Sequence, residues 1–217
     1  GRAEIHPAAP GDGPVRVQTL WSGLSRGTER LVLEGRVPES EHARMRAPMQ
    51  EGDFPFPVKY GYAAVGRVLE GPAALQGRLV FALHPHQSSF RAWEDQLVPL
   101  PDWLPPRRAT LAANMETALN AIWDAELSPG QSVLVIGAGL VGCLTAHLAA
   151  RLSRCDVALI DKLTQRRLTA HELDVNFATD AAAHKGADVV FHTSASAAGL
   201  EAGLSALRFE GRLVEMS

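Results

Sequence analysis

SVLVIGAGLVGCLTAHLAARLSRCDVALID, from Ser132 to Asp161, is the stretch that decides the fold. Its apolar, β-branched run Val133–Ile136 reads as a strand. The strand meets Gly137-Ala138-Gly139-Leu140-Val141-Gly142, then a helical pattern, then a second apolar run, Val157–Ile160, closed by Asp161. Strand, glycine turn, helix, strand and acid in this order make the dinucleotide-binding fingerprint in the context it requires. Gly137 permits the tight turn, Gly139 lets the backbone approach a pyrophosphate, and Gly142 lets the helix pack closely on the strand. The helix N-terminus, from Leu140 and Val141 onward, offers N–H groups and a positive dipole end to phosphates. Asp161 stands 19 positions beyond Gly142, where a carboxylate accepts hydrogen bonds from a ribose 2′-hydroxyl. That carboxylate favours NAD over NADP, because it repels a 2′-phosphate. Lys162, Arg166 and Arg167 would soften the repulsion if they turned towards it, and their plainer reading is a solvated helix start.

Outward from this stretch the chain has two textures, divided near Ser128-Pro129-Gly130. Towards the C-terminus, strands are expected at Ser132–Ile136, Asp156–Ile160, Asp188–His192 and Arg212–Met216. Helical stretches at Leu140–Leu152, Leu163–Leu173 and Ala198–Leu207 alternate with them. Such alternation predicts an α/β fold with a parallel sheet, doubly wound through right-handed crossovers. Towards the N-terminus, short strand-like runs are separated by Gly and Pro: Val15–Trp21, Ala63–Glu70, Arg78–Leu83 and Trp93–Leu100. They predict a small β-barrel or sandwich. Glu39–Gly52 is polar and helix-compatible. Leu111, Met115, Ala118, Leu119 and Ile122 recur at helical spacing, so Arg107–Ala125 is expected to form an amphipathic helix. The expected domains are residues 1–127 and 128–217.

The 217 residues carry a net charge of −3, which offers nucleic acid or an anionic membrane no electrostatic attraction. Neither cysteine, Cys143 or Cys155, sits in a CxxC or metal-ligand spacing. This fits a reducing, cytoplasmic setting. No apolar run approaches the length of a membrane span, and the N-terminus does not read as a signal peptide.

With these elements placed, the whole chain resembles the medium-chain dehydrogenase/reductase family, the zinc-type alcohol dehydrogenase-like proteins. Members join a GroES-like catalytic barrel to a Rossmann domain. Ser22-Gly23-Leu24-Ser25-Arg26-Gly27-Thr28-Glu29 resembles the segment with the family's first catalytic-zinc ligand. Gly61-Tyr62-Ala63-Ala64-Val65-Gly66-Arg67-Val68 resembles its Gly-His-Glu-x-x-Gly-x-Val motif, and Gly77-Arg78-Leu79-Val80 its Gly-Asp-Arg-Val strand. Residues 113–118 resemble the helix with the third ligand, Thr117 matching a nicotinamide-side threonine. The ligands themselves are replaced: Ser25 stands for Cys, Tyr62-Ala63 for His-Glu, and Ala113 for Cys or Glu. The four-cysteine structural lobe gives way to His84-Pro85-His86-Gln87. The resemblance therefore implies a member without zinc. The serine-rich motif and the Gly-Tyr pair are similar to the bacteriochlorophyllide a dehydrogenase subgroup and to uncharacterised bacterial zinc-type alcohol dehydrogenases. Family members continue beyond the point where this sequence stops, so the C-terminal part of the fold is expected to be missing.

The implied function is NAD(P)-dependent hydride transfer between a nicotinamide and an alcohol- or carbonyl-type substrate, without catalytic zinc. Its partners would be a small-molecule substrate and, in the intact protein, a second copy as a homodimer. Tyr62 is the first catalytic candidate, because a phenol in place of a ligand can donate to a developing alkoxide. A tyrosine filling the space left by the metal is the plainer reading. Ser25 is a candidate for hydrogen-bonding substrate, and Thr117 for contact with cofactor or substrate. Thr193 and Ser194 follow the strand Asp188–His192, beyond the carboxyl end where open α/β sheets bind ligands, and are expected beside the nicotinamide half. Thr28 and Glu29 read as turn or cap residues. His84 and His86, at spacing two with no adjoining ligand, are a weak metal signal and read as polar loop residues. Two other functions remain open. One is a nucleotide-binding sensor or scaffold that has lost catalysis. The other is an enoyl or quinone reductase using NADPH, against which Asp161 argues.

Overall fold

The computed structural model describes residues 1–9 and 11–216, and the chain divides into two compact units, residues 1–113 and 114–217. The first unit begins with β1 (Val15–Ser22), α1 (Thr28–Leu33) and α2 (His42–Met45). A two-stranded hairpin of β2 (Glu51–Gly52) and β3 (Val58–Lys59) follows. Then come β4 (Ala64–Glu70), β5 (Leu79–Ala82), β6 (Ser89–Ala92), β7 (Val98–Pro99) and α3 (Pro106–Ala109). The main sheet is antiparallel, in the order β6-β1-β4-β5-β7. Alternation along the strands sends Val15, Val17, Ala64, Val68, Val80 and Phe90 into one cluster. Ala63, Val65 and Phe81 enter a second cluster with Leu100 and Ala109. Period-two patterning of this kind is what a sheet with unlike faces requires.

The second unit is built from α4 (Ala112–Asp124), β8 (Ser132–Ile136), α5 (Leu140–Arg151), β9 (Asp156–Ile160), α6 (Arg167–Glu172), β10 (Asn176–Ala178), β11 (Ala187–His192), α7 (Ala197–Ala206) and β12 (Leu207–Glu215). Its sheet is parallel throughout, in the order β10-β9-β8-β11-β12. Both faces are covered. Val133, Val135, Val157, Leu159, Val189 and Phe191 pack with Ile122 of α4, Ala146 of α5 and Ala170 of α6. The alternate residues Leu134, Ile136, Ala158, Ile160 and Val190 pack with Ala206 of α7. Burial on both sides explains why these strands read as continuous apolar runs. This is the doubly wound Rossmann sheet. Its order reverses at β8, the strand that feeds the glycine turn.

The structure corrects three local expectations. Trp93–Leu100 is not one strand: Glu94–Gln96 forms a 3-10 turn and only Val98–Pro99 pairs, while the longer strand lies earlier, at Ser89–Ala92. Gln96 fixes the turn by accepting the Trp93 N–H on its side-chain oxygen at 2.8 Å. The helix expected over Arg107–Ala125 is two helices, α3 and α4, separated at Thr110–Leu111. Thr110 contributes to the break by donating its hydroxyl to the Arg107 carbonyl at 2.8 Å. Residues 39–52 hold a 3-10 turn, the single-turn α2 and β2.

Candidate functional site

In the second unit the glycine turn has the geometry its sequence calls for. Gly137 takes φ +108°, open to glycine and strained for other residues. Its N–H donates to the Ile160 carbonyl at 2.8 Å, tying β8 to β9. A Cβ at Gly142 would stand 1.9 Å from the Gly137 carbonyl oxygen, so the first turn of α5 lies directly on the strand end. A Cβ at Gly139 would meet nothing within 4 Å. The outer face of the turn is therefore open where Gly139, half-exposed Val141 and exposed Leu140 stand. No side chain caps the α5 N-terminus, so its first N–H groups are available to an anion.

Asp161 closes the turn from β9. One carboxylate oxygen accepts the Ala138 N–H at 2.8 Å and the other the Leu163 N–H at 2.8 Å. A carboxylate oxygen has two lone pairs, so each keeps capacity for a further donor. Burial pushes the Cys143 thiol up, Arg166 pulls it down and Asp161 adds to the rise. The thiol thus senses a cation and a carboxylate together. Lys162 is exposed. These residues fit a nicotinamide dinucleotide: an open glycine crest, an uncapped helix start and a fixed carboxylate.

Thr193 and Ser194 lie where the strand β11 delivers them, and both hydroxyls have protein partners. Thr193 Oγ1 donates towards the Ile136 and Gly137 carbonyls at 3.0 and 2.8 Å, clamping the glycine turn from beneath. Ser194 Oγ is 2.8 Å from His192 Nε2 and 2.9 Å from Ser196 Oγ. His192 is buried and its Nδ1 is 2.8 Å from a Glu215 carboxylate oxygen. The carboxylate only accepts, so Nδ1 donates to it. No motif in the sequence singles out His192 or Glu215 as a pair. They lie on different strands, brought level only by the β11–β12 register. Thr117 is exposed on α4.

In the first unit Ser25 and Tyr62 sit beside a hydrogen-bonded chain. Glu29, in the first turn of α1, reaches back to accept the Ser25 N–H at 2.8 Å. This bond uses only one oxygen. The other is 2.6 Å from His86 Nε2. On the far side of the ring, His86 Nδ1 is 2.5 Å from Ser22 Oγ. Tyr62 is half-buried, its ring edge-on to Tyr60 at 6.0 Å. Tyr60 donates its hydroxyl to the Met45 carbonyl at 2.8 Å. Burial first, then the nearby Tyr62 and Glu29 charges, push its phenol up to about 12.

The two loop histidines have separate fates. His86 is the centre of this chain. His84 is buried, stacked on Phe90 at 3.8 Å, and its Nδ1 donates to the Pro85 carbonyl at 2.8 Å. It is a packed residue of the barrel and not the polar loop residue its sequence suggests. Burial pushes its pKa down. Ser25, Tyr62 and Ala113 present a hydroxyl, a phenol and a methyl group, with no thiolate, imidazole or carboxylate among them. Among the described residues no group of three His, Cys, Asp or Glu is placed to hold a metal ion.

No family model matches the chain. It is 24% identical over 129 residues to the uncharacterised zinc-type alcohol dehydrogenase-like protein YdjJ of Escherichia coli K12, a match that takes in 54% of this chain and 35% of that protein. To the D-xylulose reductase of Saccharomyces cerevisiae it is 25% identical over 216 residues, or 92% of this chain and 54% of that one. The chain thus spans about a third to a half of the length of these curated relatives. Among solved structures, the quinone oxidoreductase of Thermus thermophilus, known in complex with NADPH, matches with a TM-score of 0.76 at 23% identity, over 99% of this chain and 70% of that chain. A short chain alcohol dehydrogenase of Escherichia coli CFT073, complexed with NADH, matches with a TM-score of 0.75 at 14% identity, over 98% and 71%. The chain is thus similar in sequence to a zinc-type alcohol dehydrogenase-like protein and a D-xylulose reductase, and it carries the fold of these solved dehydrogenase and oxidoreductase structures.

Proposed function

We propose that the protein is an NAD(P)-dependent oxidoreductase that moves hydride between a nicotinamide and an alcohol- or carbonyl-type substrate without catalytic zinc. The observation that carries this reading is the glycine turn: an open crest at Gly139, an uncapped α5 N-terminus and a carboxylate fixed on the Ala138 N–H. Gly137, Gly139, Leu140, Val141 and Gly142 would hold the pyrophosphate on backbone N–H groups. Asp161 would accept from the adenosine ribose, and its charge supports NAD over NADP. Thr193 and Ser194 would border the nicotinamide half, and Lys162 the ribose. The bound nicotinamide supplies the hydride acceptor or donor.

The protein must answer the charge that appears on the substrate oxygen. Tyr62 would donate its phenol to that oxygen, with Ser25 and Thr117 as further polar contacts. The chemistry of Ser25, Tyr62 and Ala113 supports a reaction without zinc. A cytoplasmic setting and a homodimer belong to the same reading. The test is transfer of deuterium from [4-²H]NADH to a panel of aldehydes, ketones and quinones. Transfer is expected, and Tyr62→Phe should lower turnover by roughly 10²–10³-fold while leaving NADH affinity within twofold. Turnover of that variant equal to the unaltered protein would remove Tyr62 from the mechanism. Absence of transfer from a protein that binds NADH would favour the sensor reading.

A further inference from the structure

We infer that the first unit carries a binding site for an apolar or aromatic carboxylate, in a cavity beside the β4–β5 ladder. The cavity has a volume of about 530 Å³, inside the roughly 300–1,000 Å³ range of small-molecule sites. Its lining runs from Arg67 to Pro106, so the first unit forms it alone. The site takes no residue from the glycine turn and stands whether or not the protein moves hydride.

Sheet register builds the floor. Arg67 of β4 is paired with Leu79 of β5, and directly opposed residues of an antiparallel pair project to the same face. On that face Leu79 packs with Val65, Phe81 and Leu100, and Leu104 joins the same cluster. The floor under Arg67 is therefore apolar. Backbone hydrogen bonds hold it: the Leu100 N–H donates to the Leu79 carbonyl at 2.9 Å, and the Leu104 N–H to the Pro101 carbonyl at 3.0 Å. At the rim stands Trp103, 79% exposed. An indole offers a ligand a large apolar face that needs little ordering.

The mouth is cationic. Arg67 and Arg78 both line it, and among the described residues neither guanidinium has an ion pair. Arg16, Arg46 and Arg91 of the same unit each have one. Arg67 donates from Nη1 to the Gly77 carbonyl at 2.8 Å, which steadies the fork and leaves its other N–H groups for a ligand. Asp102 is the single carboxylate in the lining, and among the described residues it too has no ion pair. Two guanidinia less one carboxylate leave a single positive charge at the mouth.

Floor and mouth together select the ligand. A neutral hydrocarbon would cover the leucines and leave both guanidinia without an acceptor. An inorganic anion would meet the guanidinia and leave the floor wet. A carboxylate on an apolar body satisfies both, because a guanidinium fork matches its two oxygens and the body removes the leucine surface from water. Asp102 repels a second negative charge, which favours a carboxylate over a dianionic phosphate.

The test is calorimetric titration of the full chain, without cofactor, with naphthalene-2-carboxylate and with decanoate, one aromatic and one aliphatic probe. At least one should bind saturably with a dissociation constant below about 1 mM. Its neutral alcohol counterpart and acetate should each bind about tenfold more weakly or worse. Arg67→Gln and Arg78→Gln should each weaken the carboxylate about tenfold, and Arg78→Lys should recover part of the loss. Asp102→Asn should tighten binding. The Trp103 emission, taken as the difference from Trp103→Phe, should change on saturation. Arg78 makes no side-chain hydrogen bond among the described residues, so its variants should keep the urea midpoint of the unaltered protein and remain decisive if Arg67→Gln does not fold. No saturable binding of either probe in that range would overturn the site. So would equal affinity for acid and alcohol, unchanged affinity in Arg78→Gln, or weaker binding in Asp102→Asn.

Discussion

Gly142 shows how one missing side chain sets the nucleotide turn. A methyl group there would overlap the Gly137 carbonyl at 1.9 Å and crowd Thr193 Oγ1 at 2.6 Å. Backbone cannot yield as a flexible side chain can. Gly142→Ala should therefore cost roughly 1–3 kcal/mol, the range of core overpacking, and weaken NADH binding; urea unfolding and a cofactor titration check both. His84 gives a pH signature in the first unit. Burial lowers its folded pKa, so the folded state binds fewer protons than the unfolded state below the ordinary histidine value of about 6.5. Stability from this group is present above that value and is lost as pH falls through it towards the depressed folded value. His84→Phe keeps a ring against Phe90 and removes the titration. Its unfolding midpoint should fall less than that of the unaltered protein between about pH 7 and pH 5. Equal falls in the two proteins would clear His84 of the effect.

At the scale of elements, the legible parts are those whose pattern has one physical cause. β8 and β9 are buried on both faces and bounded by turn residues, so their limits follow from hydrophobicity alone. β6 escapes a reading of the sequence because Ser89-Phe90-Arg91-Ala92 has only two inward side chains and two polar outward ones, too short a run to stand out. Trp93–Leu100 reads as the stronger strand because it holds more apolar residues, yet Gln96 folds its start into a turn. The glycine site is readable because its residues are nearly contiguous. The Ser22–His86–Glu29 and Ser194–His192–Glu215 chains are not, because no spacing rule links residues joined only by sheet register and loop packing. The centre of the second sheet can be tested directly. Phe191 of β11 is fully buried among Val133, Val135 and α4 and α5. Phe191→Ala should cost about 3–5 kcal/mol in the unfolding of the second unit, measured by urea denaturation. A loss below about 1 kcal/mol would contradict that packing.

At the scale of the whole molecule, the first unit contributes polar and titratable side chains and the second a backbone cradle with one fixed carboxylate. In the proposed reading the cradle holds the hydride carrier. Arg166 and Asp161 both act on the Cys143 thiol of α5, and in the proposed reading cofactor choice follows from which of the two meets the 2′ position. The proposed reading gives that place to Asp161. The most direct test is calorimetric titration of the protein with NADH and with NADPH, repeated on Asp161→Ala. NADH is expected to bind at least tenfold more tightly, about 1.4 kcal/mol, and the substitution to narrow the gap. Tighter binding of NADPH by the same factor, or no binding of either, would contradict it.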